Sequence, residues 1–255
     1  MRTTVTQLNA LELDSAWPQL ATHCRATGPD LVVLPELPFG PWLPATQDVD
    51  PDAWVASEGV HEQWIERLGE LGAETVVGSR PVTDDGHRYN EAFVWSAGVI
   101  TPSHRKTYLP DEPRFWEASW YERGPVAFDV DTTPAGKLGF QICTEMWFFT
   151  HAREYGQAGA SFVVTPRATE ARTLDKWIAG GRVSAVSAGA YALSSNHSGS
   201  YPGVTMGGGG WVMSPDGEVL ALTSDSNPFV TVDCDMPAAQ AAKSTYPRYV
   251  DTSPT

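Results

Sequence analysis

The sequence predicts an α/β fold, and three observations carry that prediction. Strand-like apolar runs alternate with helix-length amphipathic segments along the chain. Some runs, "DLVVLPEL" (30–37) above all, are continuously apolar, as strands covered on both faces are. No low-complexity linker or internal repeat divides the chain, so a single domain over residues 1–255 is expected.

In order, "RTTVTQLNA" (2–10) reads as a first strand, and "SAWPQLATHCRATG" (15–28) as a helix closed by Gly28 with Cys24 on its apolar face. After the strand at 30–37, "VHEQWIERLGELGA" (60–73) is a helix and "ETVVGSRPV" (74–82) a strand. "YNEAFVWSAG" (89–98) is the next strand, and "VITPSHRK" (99–106) leaves it. The second half repeats the rhythm with strand "AGKLGFQIC" (135–143), helix "FFTHAREYGQAGA" (148–160) and strand "SFVVTP" (161–166). "LDKWIAGGRVSAVSAGA" (174–190) is a weaker helix because its glycines cost helix stability. "YALSSNHSG" (191–199) is a strand, "GGWVMSPDGEVLAL" (209–222) a hairpin with a Pro-Asp-Gly turn, and "PFVTVDCDM" (228–236) a last strand. The tail, about 241–255, is expected as a surface tail or a dimer arm.

Composition excludes several classes. A formal charge of −14 repels phosphate backbones, so nucleic acid is not expected as a partner. No apolar run is long enough to cross a bilayer, and "MRTTVTQLNALELD" lacks a secretory apolar core, so a cytoplasmic protein without membrane partners is expected. Cys24, Cys143 and Cys234 are far apart and odd in number, which argues against a disulfide framework or a CxxC metal cluster. The histidines form no HExxH pair, and "GGGG" at 207–210 lacks the Lys-Ser/Thr of a phosphate loop, so neither metal nor cofactor is expected.

Four short stretches carry candidate chemistry. Cys143 closes an apolar strand and begins a polar turn; an isolated cysteine is commonly structural, but α/β sites gather where strands end. Glu36 ends "LVVLPE" similarly, and is either a cap or a general base at the edge of a buried core. Lys106, in "SHRKTYLP", is either a solvated loop lysine or a fixed ammonium that stabilises a substrate oxyanion and favours Cys143 as thiolate. Glu117 lies in "PDEPRFWEASWYERG" among Phe115, Trp116, Trp120 and Tyr121, aromatics suited to a satellite core or to a pocket mouth.

Taken together, "VVLPELPF", "HRKTYLP" and "GFQICTEMWF" resemble the glutamate, lysine and cysteine motifs of the nitrilase superfamily of carbon–nitrogen hydrolases, in the family's order. The resemblance continues through "SFVVTP" and "GGWVMSPDGEVLA", nearly the whole chain. It implies a four-layer αββα sandwich, commonly paired into a homodimer or higher homo-oligomer. It also implies catalytic roles for Glu36, Lys106 and Cys143, with Glu117 or Glu112 as a second glutamate. Thr144 would lend its backbone N–H to the oxyanion.

The implied activity is hydrolysis of a small linear amide or N-carbamoyl amine through a cysteine thioester. A nitrilase, a thioester-based acyltransferase and a non-catalytic interaction subunit are the alternatives. "CTEMWF" is similar to the Cys-Trp-Asp-Gln-Trp-Phe stretch of N-carbamoylputrescine amidases at Trp147 and Phe148, and departs from it at Thr144 and Met146. With Met146 and Trp147 where related carbamoyl amino acid hydrolases place arginines, a carboxylate at that position is disfavoured, although Arg167 or Arg172 could bind an anion. Asn196 and His197 are expected as a satisfied core polar cluster.

Overall fold

The computed structural model describes residues 1–201 and 203–250. Among these residues thirteen strands build two sheets that touch along one seam. In the first, β5 (Val99–Arg105), β4 (His87–Ser96), β3 (Thr75–Asp84), β2 (Leu31–Val33) and β1 (Arg2–Leu8) lie side by side, with β13 (Phe229–Asp233) antiparallel to β1. In the second, β6 (Asp131–Thr133), β7 (Gly136–Phe140), β8 (Phe162–Arg167) and β9 (Tyr191–Tyr201) follow one another. β10 (Val204–Gly207) and β11 (Trp211–Met213) both pair with β9, and β12 (Val219–Leu222) pairs with β11. The end of β1 leaves its own sheet to pair Gln7 with Asn196 and Leu8 with His197, joining the two.

Period-two burial explains the layers. Leu31 and Val33 of β2 point between the sheets, where Val77 meets Phe140, Phe162 and Val164 of the second sheet. Val32 points the other way, beneath α1 (Leu13–Thr27), whose Trp17, Leu20 and Cys24 also cover Val76 and Phe93. On the far side Val163 lies under Ala152 and Tyr155 of α4 (Phe149–Gln157) and Ala188 of α5 (Leu174–Ala188). The result is helices, sheet, sheet, helices: a four-layer αββα sandwich.

Several local expectations hold. Gly28 closes α1 at φ +58°, and the Ser214–Gly217 turn links β11 to β12. Other boundaries move. α2 (Pro51–Ile65) starts nine residues before the Val60 expected from apolar spacing, because Asp50 caps the N–H groups of Asp52 and Ala53 and Pro51 opens the helix. The strand expected through Cys143 stops at Phe140, and residues Cys143–Trp147 form a 3₁₀ turn.

The tail begins within α6 (Met236–Ala242), and Lys243 then anchors it by donating to the carbonyls of Ala160, Ala188 and Gly189. The tail's residues 251–255 lie outside the described residues. Among the described residues no helix is long and apolar enough to cross a membrane.

The α5 glycines are contact points. A methyl on Gly180 would sit 2.7 Å from Met146, and one on Gly181 2.9 Å from the Trp211 ring. Gly156 of α4 similarly abuts the Ala188 backbone carbonyl, which cannot rotate away. Gly156→Ala should therefore lower stability by about 2 kcal/mol, read as a fall of roughly 4–8 °C in melting temperature. Gly59→Ala, in α2 with nothing within 4 Å of the added carbon, should instead gain about 0.5–1 kcal/mol. A neutral Gly156→Ala would remove this account of the α4–α5 contact.

Candidate active site

Loops leaving the ends of β2, β5, β7 and β8 converge at one end of the sandwich, the usual place for chemistry in α/β sheets. Glu36, three residues past β2, is wholly buried, and the following Leu37 takes a left-handed φ of +46°. Lys106 directly follows β5, and its own N–H donates to the Asn90 carbonyl at 2.8 Å. Its ammonium donates to Glu36 Oε1 at 2.7 Å and to Glu117 Oε2 at 2.6 Å, all three side chains being at most 1% exposed. Asn90 Nδ2 donates to the same Glu36 oxygen at 2.8 Å, and the Tyr121 hydroxyl donates to Glu117 Oε2 at 2.5 Å.

Glu117 is thus the second glutamate at the lysine. Glu112 is exposed, bridges to Phe115 through the backbone, and lines the cleft farther out.

Cys143 heads the 3₁₀ turn with φ +49°, a strained conformation for a side chain with a Cβ, and its Sγ lies 4.0 Å from the Ala168 carbonyl. The turn is sharp because Glu145 doubles back: its N–H donates to Ile142 O at 3.1 Å, and its carboxylate accepts the Ile142 N–H at 2.8 Å.

Burial governs the titration. It disfavours charge on Lys106, but Glu117 and Glu36 outweigh it and hold the ammonium above the usual lysine range. Burial pushes Glu117 up to about 7, with Lys106 opposing and Glu36 adding to the rise. Burial, reinforced by Glu36 and opposed by Lys106, also raises the Cys143 thiol. Lys106 does pull towards the thiolate, as expected, but burial first and then Glu36 outweigh it, so the net shift favours the thiol.

A cavity of about 190 Å³ opens above Cys143 and Glu117. Thr144, Trp147 and Arg172, each singled out in the sequence, line it, together with Trp177, Thr169 and Lys176, which were not. Glu36 and Lys106 lie beneath its floor.

Phe148, Trp116 and Arg167 are not part of the lining. Phe148 stacks on Tyr108 with ring centroids 3.9 Å apart, and Trp116 is tied by its N–H to Pro44 O at 2.9 Å. Arg167 is fully buried. Its guanidinium donates to Ser194 Oγ, Thr169 Oγ1 and Gly209 O and stacks 4.0 Å over Trp211, so every nitrogen is already engaged. Burial pulls its pKa down to about 9.

Asn196 bonds the Thr169 backbone at both N–H and carbonyl, while His197 Nε2 donates to Glu36 O at 2.5 Å, so this buried polar pair braces two loops of the site. Among the described residues no group of three or more His, Cys, Asp and Glu is arranged to hold a metal ion.

The sandwich, together with the motif order along its loops, defines the class: the nitrilase superfamily. The chain belongs to the carbon–nitrogen hydrolase family, hydrolases acting on carbon–nitrogen bonds, whose profile matches residues 2–244. It is 28% identical to a glutamine-dependent NAD(+) synthetase of Rhodobacter capsulatus, over 84% of this chain and 39% of that protein. It is 26% identical to the N-carbamoylputrescine amidase of Arabidopsis thaliana, over 66% of this chain and 62% of that protein. The chain thus spans less than two thirds of either relative's length.

Among solved structures, the fold matches a carbon–nitrogen hydrolase from Helicobacter pylori G27 at TM-score 0.84 and 21% identity, covering 98% of this chain and 94% of that one. It also matches a mutant amidase from Nesterenkonia sp. AN1 at TM-score 0.77 and 19% identity, covering 94% and 92%. That structure carries the acetamide moiety of fluoroacetamide on its active-site cysteine.

Glu117 gives a pH test. Its folded pKa stands near 7 against an ordinary 4.5, so the folded state holds a proton there that the unfolded state has released. Its contribution to stability is complete below pH 4.5 and is lost as pH rises toward 7. In thermal melts, wild type minus Glu117→Gln should fall in stability across that window; a flat or rising difference would contradict the raised pKa.

Proposed function

We propose that the protein is an amidase that hydrolyses a small linear amide through a thioester on Cys143. The observation that carries this reading is the placement of Cys143 on the floor of a small cavity, with the Glu36–Lys106–Glu117 cluster beneath it. The covalent adduct on the Nesterenkonia cysteine supports the same assignment by analogy of fold.

The resting thiol keeps its proton, so attack and deprotonation are coupled. As Cys143 Sγ bonds to the amide carbon, its proton passes to Glu36, whose Oε2 has no hydrogen-bond partner. An ammonium has three N–H donors and two are held by the carboxylates, which leaves one for the developing oxyanion, together with the Thr144 N–H.

Collapse of the adduct breaks the C–N bond, and Glu36 returns the proton to the departing nitrogen, releasing ammonia or an amine. Water then gives a proton to Glu36 as it attacks the thioester. Collapse expels the sulfur, which recovers that proton, and frees the acid. Glu117 keeps Lys106 in place and charged, and its unpartnered Oε1 is available to the substrate amide N–H.

The cavity volume suits a short substrate, and Trp147, Trp177 and Phe115 suit a flat or linear carbon chain. An N-carbamoyl amine satisfies the same chemistry. One feature favours an amide with a distal anion as a second substrate form. Lys176 lines the cavity and takes part in no ion pair among the described residues, whereas Arg172 is held by Glu170 at 2.6 Å.

Ammonia release should be measured across aliphatic amides, ω-amides of dicarboxylic acids, carbamoyl amines and nitriles. Turnover is expected on short amides, and turnover on nitriles alone would overturn the amidase reading. Cys143→Ala should cut turnover by about four orders of magnitude or more while the protein melts within a few degrees of wild type. Retained turnover would remove the thioester.

A further inference from the structure

We propose that Glu145, paired with His104, is a positioning residue that locks the lysine loop and the cysteine turn into one frame. The proposal rests on the thioester reading above, but its geometry is separate from the cavity. Glu145 is wholly buried and does not line the cleft. One carboxylate oxygen accepts the N–H of Thr107 at 2.6 Å, the residue after Lys106. The other accepts the N–H of Ile142 at 2.8 Å, the residue before Cys143. A single carboxylate thus spans the two backbone segments whose separation sets the distance from ammonium to sulfur.

His104 holds this carboxylate from the other side. Its Nε2 stands 2.9 and 2.8 Å from the two Glu145 oxygens, and its Nδ1 stands 3.0 Å from the Ala127 carbonyl. A carbonyl only accepts, so Nδ1 carries a proton. The Glu145 oxygens also accept two backbone N–H groups, so the carboxyl is held by the ring and by both backbone segments at once. The pair is buried, with side chains 4% and 0% exposed. Such a pair holds its geometry, since removing either partner leaves a buried polar group of the other without its hydrogen bond.

The lock is needed because Cys143 sits in a strained left-handed conformation. Without the carboxylate holding the Ile142 N–H, the turn relaxes and the sulfur moves relative to Lys106. A displacement of the order of 1 Å costs roughly 100-fold in rate.

The test compares wild type, Glu145→Gln and His104→Gln. Glutamine at 145 keeps the shape but turns an amide NH₂ toward groups that are themselves donors. Expected for Glu145→Gln is a fall of about 100-fold in kcat on the best amide of the panel, with KM within about threefold because no lining residue changes. Alkylation of Cys143 by iodoacetamide should slow in parallel. His104→Gln leaves the carboxylate in place and should show the same pattern at roughly tenfold.

A folded Glu145→Gln enzyme with kcat and alkylation within threefold of wild type would overturn the lock, as would a loss confined to KM. Should Glu145→Gln fail to fold, wild-type rates in His104→Gln would overturn it equally. If the wild type turns over no amide, the hydrolase reading fails on its own, and the alkylation rates still decide the lock.

Discussion

The site depends on one buried ammonium. Lys106 has no contact with water and stands between Glu36 and Glu117. An isolated ammonium there would shed its proton rather than bear the desolvation, so the carboxylates are the condition for a charged lysine. Two carboxylates against one ammonium leave an excess of negative charge, and burial magnifies it. Burial first, then this excess, raises Glu117 to about 7 and raises the thiol despite a lysine close by. In the mechanism proposed above, the cluster takes up a proton that the Cys143 thiol supplies only as it attacks a carbon.

Such a cluster tolerates little movement, which accounts for the framework around it. Leu37 and Cys143, at the ends of two strands in different sheets, both have left-handed backbone conformations that relaxed chains avoid. Each is held by neighbours: the Leu37 N–H donates to Ser79 Oγ at 3.1 Å, and Glu145 closes the cysteine turn. The seam where β1 crosses to β9 brings the sheets into register beside this point, and His197 from that seam holds the Glu36 carbonyl.

The sequence made the layers legible because a strand covered on both faces has nowhere to place a charge. "LVVLPE" and "LGFQIC" each announce their end with a polar or reactive residue, which identified Glu36 and Cys143. Less was legible where the partner is distant. Glu145 stands 38 residues from Thr107 and 41 from His104, and nothing in "CTEMWF" alone distinguishes it from a solvated acid. Glu117 is the preferred second glutamate in the sequence, with Glu112 in the same loop as the alternative, and the fold brings Glu117 to Lys106. Arg167 is expected as a substrate contact because it follows "VVTP", where the family resemblance places substrate-facing residues, yet stacking on Trp211 and three neutral acceptors engage it inside the protein. The start of α2 is encoded in "DPDAW" by the Asp50 cap and Pro51, a local signal that apolar spacing alone does not show.

Net charge illustrates the same limit. A chain at −14 would be expected to draw cations, but a surface charge acts only over roughly 8–10 Å in physiological salt. The field inside the cleft is set by the groups that line it. There Glu170 is taken up by Arg172 at 2.6 Å and Arg114 at 3.5 Å, so its charge is spent within the wall. Glu112 and Lys176 remain at the opening, one of each sign, and the acidity of the outer surface does not carry through to the carbon that Cys143 would attack. The electrostatics that select a substrate are therefore local, and they follow from which side chains the loops leave without partners.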